Sequence, residues 1–272
     1  MPRITSSVSV TERSAAMVQG VALVRGVAAS FSSAVTGSPP DPPLAADLAA
    51  SQHASYVAAL ADGGYVTVEI EPDEAYPDCC FIEDAAVVVG EHALVARSGH
   101  PSRRGEVDEV ATVLGEYVRL HHAEIPATID GGDVMIVGSR VFVGLSQRTN
   151  AAGAAAIAAI AEPQAMTVNV VPVGSVLHLK SGLSALDDST VLWHRRACER
   201  DELTGLRVIE IEEHDPEAAN VVRLADGRIL VTEHHERTRA VVEALGFETL
   251  AVDVSELARA DGGLTCMSIR LR

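Results

Sequence analysis

The chain has 272 residues, 47% of them hydrophobic and 22% charged, a globular composition able to bury a core. Its formal net charge of −17 argues against nucleic-acid binding, which draws on clustered Lys and Arg, and favours a cationic small molecule. Cys79, Cys80, Cys198 and Cys266 have neither a metal-type spacing nor the density of a secreted disulfide scaffold, and no signal core or long apolar run is present, so reduced thiols, the cytoplasm and no membrane are expected.

In chain order, Gly37-Ser38-Pro39-Pro40-Asp41-Pro42-Pro43 interrupts regular structure, because proline fixes φ and removes a donor. A helix from Leu44 to Ala61 follows, capped by Gly63-Gly64, and alternation predicts a strand over Tyr65 to Ile70. Val107, Val110, Leu114, Tyr117 and Val118 share one helical face. Asp133 to Ile136 and Arg140 to Val143 form a hairpin, followed by a helix from Asn150 to Ala161 and a strand from Thr167 to Val171. Ile229 to Thr232 precedes a helix at Glu236 to Leu245. Helix starts near residues 44, 103, 150, 197 and 235 recur every ~40 to 60 residues, the period of a repeated unit. Five such units closed into a ring would let residues 1–272 fold as a single domain.

The chemistry concentrates in a few places. Cys266 follows Gly262-Gly263 at the head of the closing strand; it is either a small buried hydrophobe or a nucleophile whose pKa a partner must tune. His178 interrupts an apolar run and is either a hydrogen-bonded core residue or a general acid/base. Asp78, Glu83 and Asp84 precede the apolar strand Ala85 to Val89, and Asp130 and Asp133 precede Val134-Met135-Ile136. Acids there are turn formers or a binding floor; converging carboxylates repel unless they face a cation, and a planar guanidinium suits them best. Arg97 and Arg148 each follow a strand and precede a helix, as surface charges or as a clamp on a substrate carboxylate.

Together, the segments Asp78 to Val89, Arg97 with Pro101-Ser102-Arg103-Arg104, Asp130 to Asp133, Val143 to Asn150, His178 to Ser181 and Leu264 to Ser268 resemble the dimethylarginine dimethylaminohydrolases of the guanidino-group-modifying superfamily. The resemblance runs from about residue 65 to the C-terminus. It implies an α/β fold, a five-bladed pseudo-symmetric α/β propeller (pentein) of ββαβ-type units. It makes Cys266 the nucleophile, His178 the acid/base and Asp130 the carboxylate orienting the histidine. Glu83 and Asp84 would hold the guanidinium, Asp78 would bind near the α-amino group, Arg97 and Arg148 would grip the α-carboxylate, and Val27 and Ala260 would offer main-chain contacts.

The implied reaction hydrolyses a methylated arginine to citrulline through a covalent thiouronium, with no cofactor and no required metal, although zinc could inhibit by capturing Cys266 and His178. The implied partner is this small-molecule substrate, and the protein would be a monomer or homodimer. Two alternatives stand beside this reading. Arginine deiminases carry a second acid soon after the catalytic histidine, where this chain reads His178-Leu179-Lys180-Ser181, and a non-catalytic binding protein could retain the same fold.

Overall fold

Short apolar runs joined by tight turns build a unit of two hairpin strands, a crossover and a third strand. The computed structural model describes residues 20–271; Met1 to Ala16, the stretch expected to hold no signal core, lies outside them. Strand β1 (Val21–Arg25) leads through helix α1 (Ala46–Asp62) to β2 (Val66–Ile70). The next unit comprises β3 (Ala86–Val89), β4 (His92–Val95), α2 (Val107–Leu114) and β5 (Arg119–His122). Then come β6 (Val134–Val137), β7 (Arg140–Leu145), α3 (Ala151–Ala161) and β8 (Thr167–Pro172). The fourth unit has β9 (Leu183–Ala185), β10 (Thr190–Trp193) and β11 (Arg207–Glu210). β12 (Val222–Arg223), β13 (Ile229–Thr232), α4 (Glu236–Ala244) and β14 (Thr249–Val252) follow, and the one-turn α5 (Ser255–Ala258) and β15 (Ile269–Leu271) end the chain.

In every unit the first strand pairs antiparallel with the second, and the second pairs parallel with the third. β15 takes the first-strand place beside β1, which pairs parallel with β2, so the two ends of the chain complete one unit together. The result is five three-stranded sheets, the α/β five-unit ring of ββαβ-type units expected from the sequence. Gly90 and Gly138 make the two-residue turns of the β3–β4 and β6–β7 hairpins at φ 57° and 56°, the left-handed conformation that a Cβ disfavours.

Two expectations change. The helix expected from near residue 103 begins at Val107, because Pro101–Arg103 forms a separate 3-10 turn, and it ends at Leu114. Gly115 caps it by donating to Ala111 and Val113, which leaves Tyr117 and Val118 beyond the helical face. The helix expected near residue 197 is only a 3-10 turn at Arg200–Leu203. The segment between β10 and β11 is rich in charge and anchors few side chains, chiefly Ala197, Cys198 and Leu203.

One-turn 3-10 segments precede the first strand of all five units, at Ile82–Ala85, Gly131–Asp133, Leu179–Ser181, Pro216–Ala219 and Leu264–Met267. Successive turns from Ile82–Ala85 to Pro216–Ala219 touch one another, and the last turn packs on the first. Residues distant in sequence thereby meet at one end of the first strands.

Candidate active site

Cys266 sits on the Leu264–Met267 turn, whose Leu264 and Met267 side chains are buried and draw it inward. Its N–H donates to Gly263 at 3.1 Å. Gly262 is needed because a Cβ there would collide with the Phe81 ring. Burial, with the charges of Glu83 and then Asp84, pushes the Cys266 thiol far above the ordinary range, so the free protein holds a protonated thiol at neutral pH.

His178 caps the Leu179–Ser181 turn and is buried. Its ring lies so close to Gly132 that a Cβ there would stand 2.7 Å from Nδ1. Nε2 lies 3.4 Å from Asp130 Oδ2. Asp130, wholly buried, is fixed in turn by the Gly99 N–H at 3.0 Å and by Arg148 Nη1 at 3.5 Å. Asp133 accepts from the Leu179 N–H at 2.9 Å and the Ser146 hydroxyl at 2.6 Å, anchoring the backbone beside His178. Burial works against charging the imidazole, but Asp84, the Asp130 hydrogen bond and Asp133 outweigh it and hold the pKa up at about 9. The resting histidine is therefore an imidazolium.

The adjacent acids Glu83 and Asp84 part company. Asp84 accepts from Arg103 Nη1 at 2.6 Å and the Gly132 N–H at 2.9 Å; burial raises its pKa, yet His178 and Arg103 prevail and bring it to about 2. Glu83 Oε1 accepts from Lys180 Nζ at 2.6 Å, while its buried Oε2 has no hydrogen-bond partner among the described residues. Burial raises the Glu83 carboxyl against the pull of Lys180 and Arg270.

Of the residues expected at the site, Cys266, His178, Asp84, Asp78, Arg148 and Ala260 line one cavity, with Asp130 behind the imidazole. Glu83 instead lines a second, larger cavity with Lys180 and Arg270. Arg97 and Val27 line neither cavity. The Arg97 backbone bridges to Ile129 and its Nη1 donates to the Ala127 carbonyl at 3.3 Å, while Val27 packs against the core beneath β1 and α1.

Arg103 and Val35 take places on the Cys266 cavity that the sequence reading did not give them. Arg103 is drawn in by Asp84 and Glu106, and the doubled arginine Arg103-Arg104 was the one available signal. The Val35 N–H donates to both Asp78 oxygens, at 3.1 and 3.2 Å, a backbone contact without a side-chain signature. Asp84, Asp130 and His178 bring possible metal-donor atoms within 4.8 Å of one another, a group that does not include Cys266. Arg103, the Gly132 and Gly99 amides and the imidazolium already balance those charges.

The arginine deiminase family model matches residues 100–217 and 203–272, which puts the ring and its cavity in the guanidino-modifying class. The dimethylarginine dimethylaminohydrolase of Pseudomonas aeruginosa is 34% identical over 224 residues, covering 82% of this chain and 88% of its own; that of Streptomyces coelicolor is 39% identical over 228 residues, covering 83% and 86%. The chain belongs to the dimethylarginine dimethylaminohydrolase family. A cysteine-to-serine variant of the P. aeruginosa protein complexed with citrulline superposes with a TM-score of 0.87 at 32% identity, over 92% of this chain and 98% of that one. The N-terminal domain of ArgZ, an arginine dihydrolase, shares the fold at a TM-score of 0.82 and 17% identity.

Proposed function

We propose that this protein hydrolyses Nω-methylated arginine to citrulline and dimethylamine or methylamine, with Cys266 as the nucleophile and His178 as the acid/base. The observation that carries this reading is that Cys266, His178 and Asp84 face one cavity while Asp130 stands behind the imidazole. A guanidinium bound against Asp84 offsets the negative field that keeps the thiol protonated, so substrate binding itself lowers the thiol pKa. The thiol proton passes to solvent water, His178 being already protonated, and the thiolate adds to the central guanidinium carbon. The His178 imidazolium protonates the departing amine, and a thiouronium remains on sulfur. Neutral His178 then takes a proton from water as its oxygen attacks that carbon, and collapse, with the hydroxyl proton passing to the departing sulfur, releases citrulline and the Cys266 thiol.

Asp78 and Arg148 stand where the amino and carboxylate ends of an amino acid would meet opposite charge. Arg103, held by Asp84 and Glu106, orients the acid rather than the substrate. The ring is read as one catalytic domain and the steps use side chains and water alone; zinc, if bound, would be held by Cys266 and His178 and would inhibit by occupying the nucleophile and the acid/base. Free cysteines and the absence, among the described residues, of a helix long and apolar enough to cross a membrane fit a cytoplasmic setting.

Intact-protein mass spectrometry during turnover with asymmetric dimethylarginine tests substrate and intermediate together: a transient adduct on Cys266, lost in Cys266→Ser, is expected. Faster citrulline release from unmodified arginine would reassign the substrate.

A further inference from the structure

Four of the five turns that ring the site carry or are capped by groups of the proposed chemistry: Asp84, Asp130, His178 and Cys266. The remaining turn, Pro216–Ala219, ends in Asn220, to which the reaction assigns nothing. We infer that Asn220 is a positioning residue whose carboxamide ties the segment carrying Cys266 to the segment carrying His178 and so sets their separation; the inference rests on the function proposed above.

Asn220 is 3% exposed. Its Nδ2 donates to the Lys180 carbonyl at 2.8 Å and to Thr265 Oγ1 at 3.1 Å, and its Oδ1 accepts from the Thr265 N–H at 3.1 Å. Thr265 immediately precedes Cys266, and Lys180 lies on the turn that His178 caps. One planar amide thus reads a donor on one segment and an acceptor on the other, a task for which aspartate lacks the N–H and an apolar residue lacks both groups.

The approach is tight: a Cβ on Gly263 would stand 2.7 Å from Asn220 Cγ, so the glycine before the nucleophile turn makes room for the tie. The amide is placed from its own side as well, because the Asn220 N–H donates to the Glu217 carbonyl at 2.8 Å, and the Asp215 carboxylate accepts from the Glu217 N–H at 2.9 Å. Displacing a reacting group by about 1 Å costs on the order of 100-fold in rate, and a tie between two segments distant in sequence is where such a displacement would arise.

The test compares wild type with Asn220→Asp, which retains the acceptor for the Thr265 N–H but turns a carboxylate toward the Lys180 carbonyl, and with the near-isosteric Thr265→Val. For each, thermal unfolding, kinetics with asymmetric dimethylarginine and the rate of Cys266 alkylation by 2-chloroacetamidine are measured at a temperature where the variant is folded. Folded Asn220→Asp is expected to lose about 10- to 100-fold in kcat with KM within about threefold of wild type, and to be alkylated correspondingly more slowly. Thr265→Val should lose about three- to tenfold in kcat. A kcat within twofold of wild type in folded Asn220→Asp, or in Thr265→Val if the aspartate variant does not fold, overturns the inference. If wild type turns over no methylated arginine, the proposed function fails, and the alkylation rates alone then decide the role of Asn220: slowed labelling sustains it and equal rates reject it.

Discussion

Lys180 Nζ lies 2.6 Å from Glu83 Oε1, and the pair forms part of the wall of the larger cavity while Asp84, one residue on, faces Cys266. Both partners are largely buried, with side-chain exposures of 13% and 7%. Removing one partner of a buried ion pair costs about 3–5 kcal/mol because the other charge is left uncompensated. Lys180→Met should lose stability toward the lower end of that range, since Arg270 Nη2 is 3.9 Å away from the same oxygen. The double variant Lys180→Met/Glu83→Gln should recover most of the loss. Urea unfolding of the three variants checks this; a loss below about 1 kcal/mol in Lys180→Met would reduce the pair to the worth of a surface contact.

Glu83 also acts on the thiol, being the largest charge contribution that raises Cys266. Glu83→Gln should therefore lower the thiol pKa and speed alkylation by neutral iodoacetamide at pH 8 about three- to tenfold, the effect of half a unit to one unit. Labelling by a cationic haloacetamidine should gain less or fall, because the negative field that attracts it is weakened. Equal acceleration by both reagents would mean that Glu83 acts by exposing the thiol rather than by its charge.

The architecture was legible in the sequence where a unit announces itself by a two-residue glycine turn and an Ala-rich crossover helix, as from β6 to β8. It was least legible between β10 and β11, where the segment is charged and only a 3-10 turn forms. Acids before apolar strands, such as Asp84 and Asp130, could be read because a turn must precede each first strand. Choosing between Arg97 and Arg103 could not be done locally, because both follow β4 and the choice depends on Asp84 and Glu106 capturing one guanidinium. Val27 and Val35 differ only in the path of the backbone that carries them.

The imidazolium of His178 makes stability depend on pH. A histidine whose pKa rises from 6.5 to about 9 on folding contributes stability that is fully present below pH 6.5 and is lost as pH climbs to 9. Asp84, lowered from 3.8 to about 2, contributes in the opposite sense, with its share lost as pH falls from 3.8 toward 2. Wild type should therefore lose on the order of 3 kcal/mol relative to His178→Gln between pH 6.5 and 9, read from denaturant midpoints across that window. Turnover should also decline above about pH 9 as the proton for the leaving amine is lost. A constant stability difference across the window would place the histidine's titration elsewhere.

Arg148 and Arg97 give the sharpest contrast in substrate recognition, because they looked equivalent in sequence and the fold separates them. Arg148 lines the Cys266 cavity with Nη1 3.5 Å from Asp130 Oδ2, whereas Arg97 turns its guanidinium to the Ala127 carbonyl. Arg148→Ala should reduce kcat/KM for asymmetric dimethylarginine by about 10- to 100-fold, as loss of a desolvated charge-assisted contact worth about 1.5–3 kcal/mol predicts; Arg97→Ala should stay within about threefold. The decarboxylated substrate analogue separates recognition from an indirect effect on Asp130. If Arg148 grips the carboxylate, Arg148→Ala should scarcely alter turnover of that analogue, which has already lost the contact. An equal loss with both substrates would instead make Arg148 a support for the Asp130–His178 pair, and the carboxylate would then have to find its cation elsewhere in the cavity.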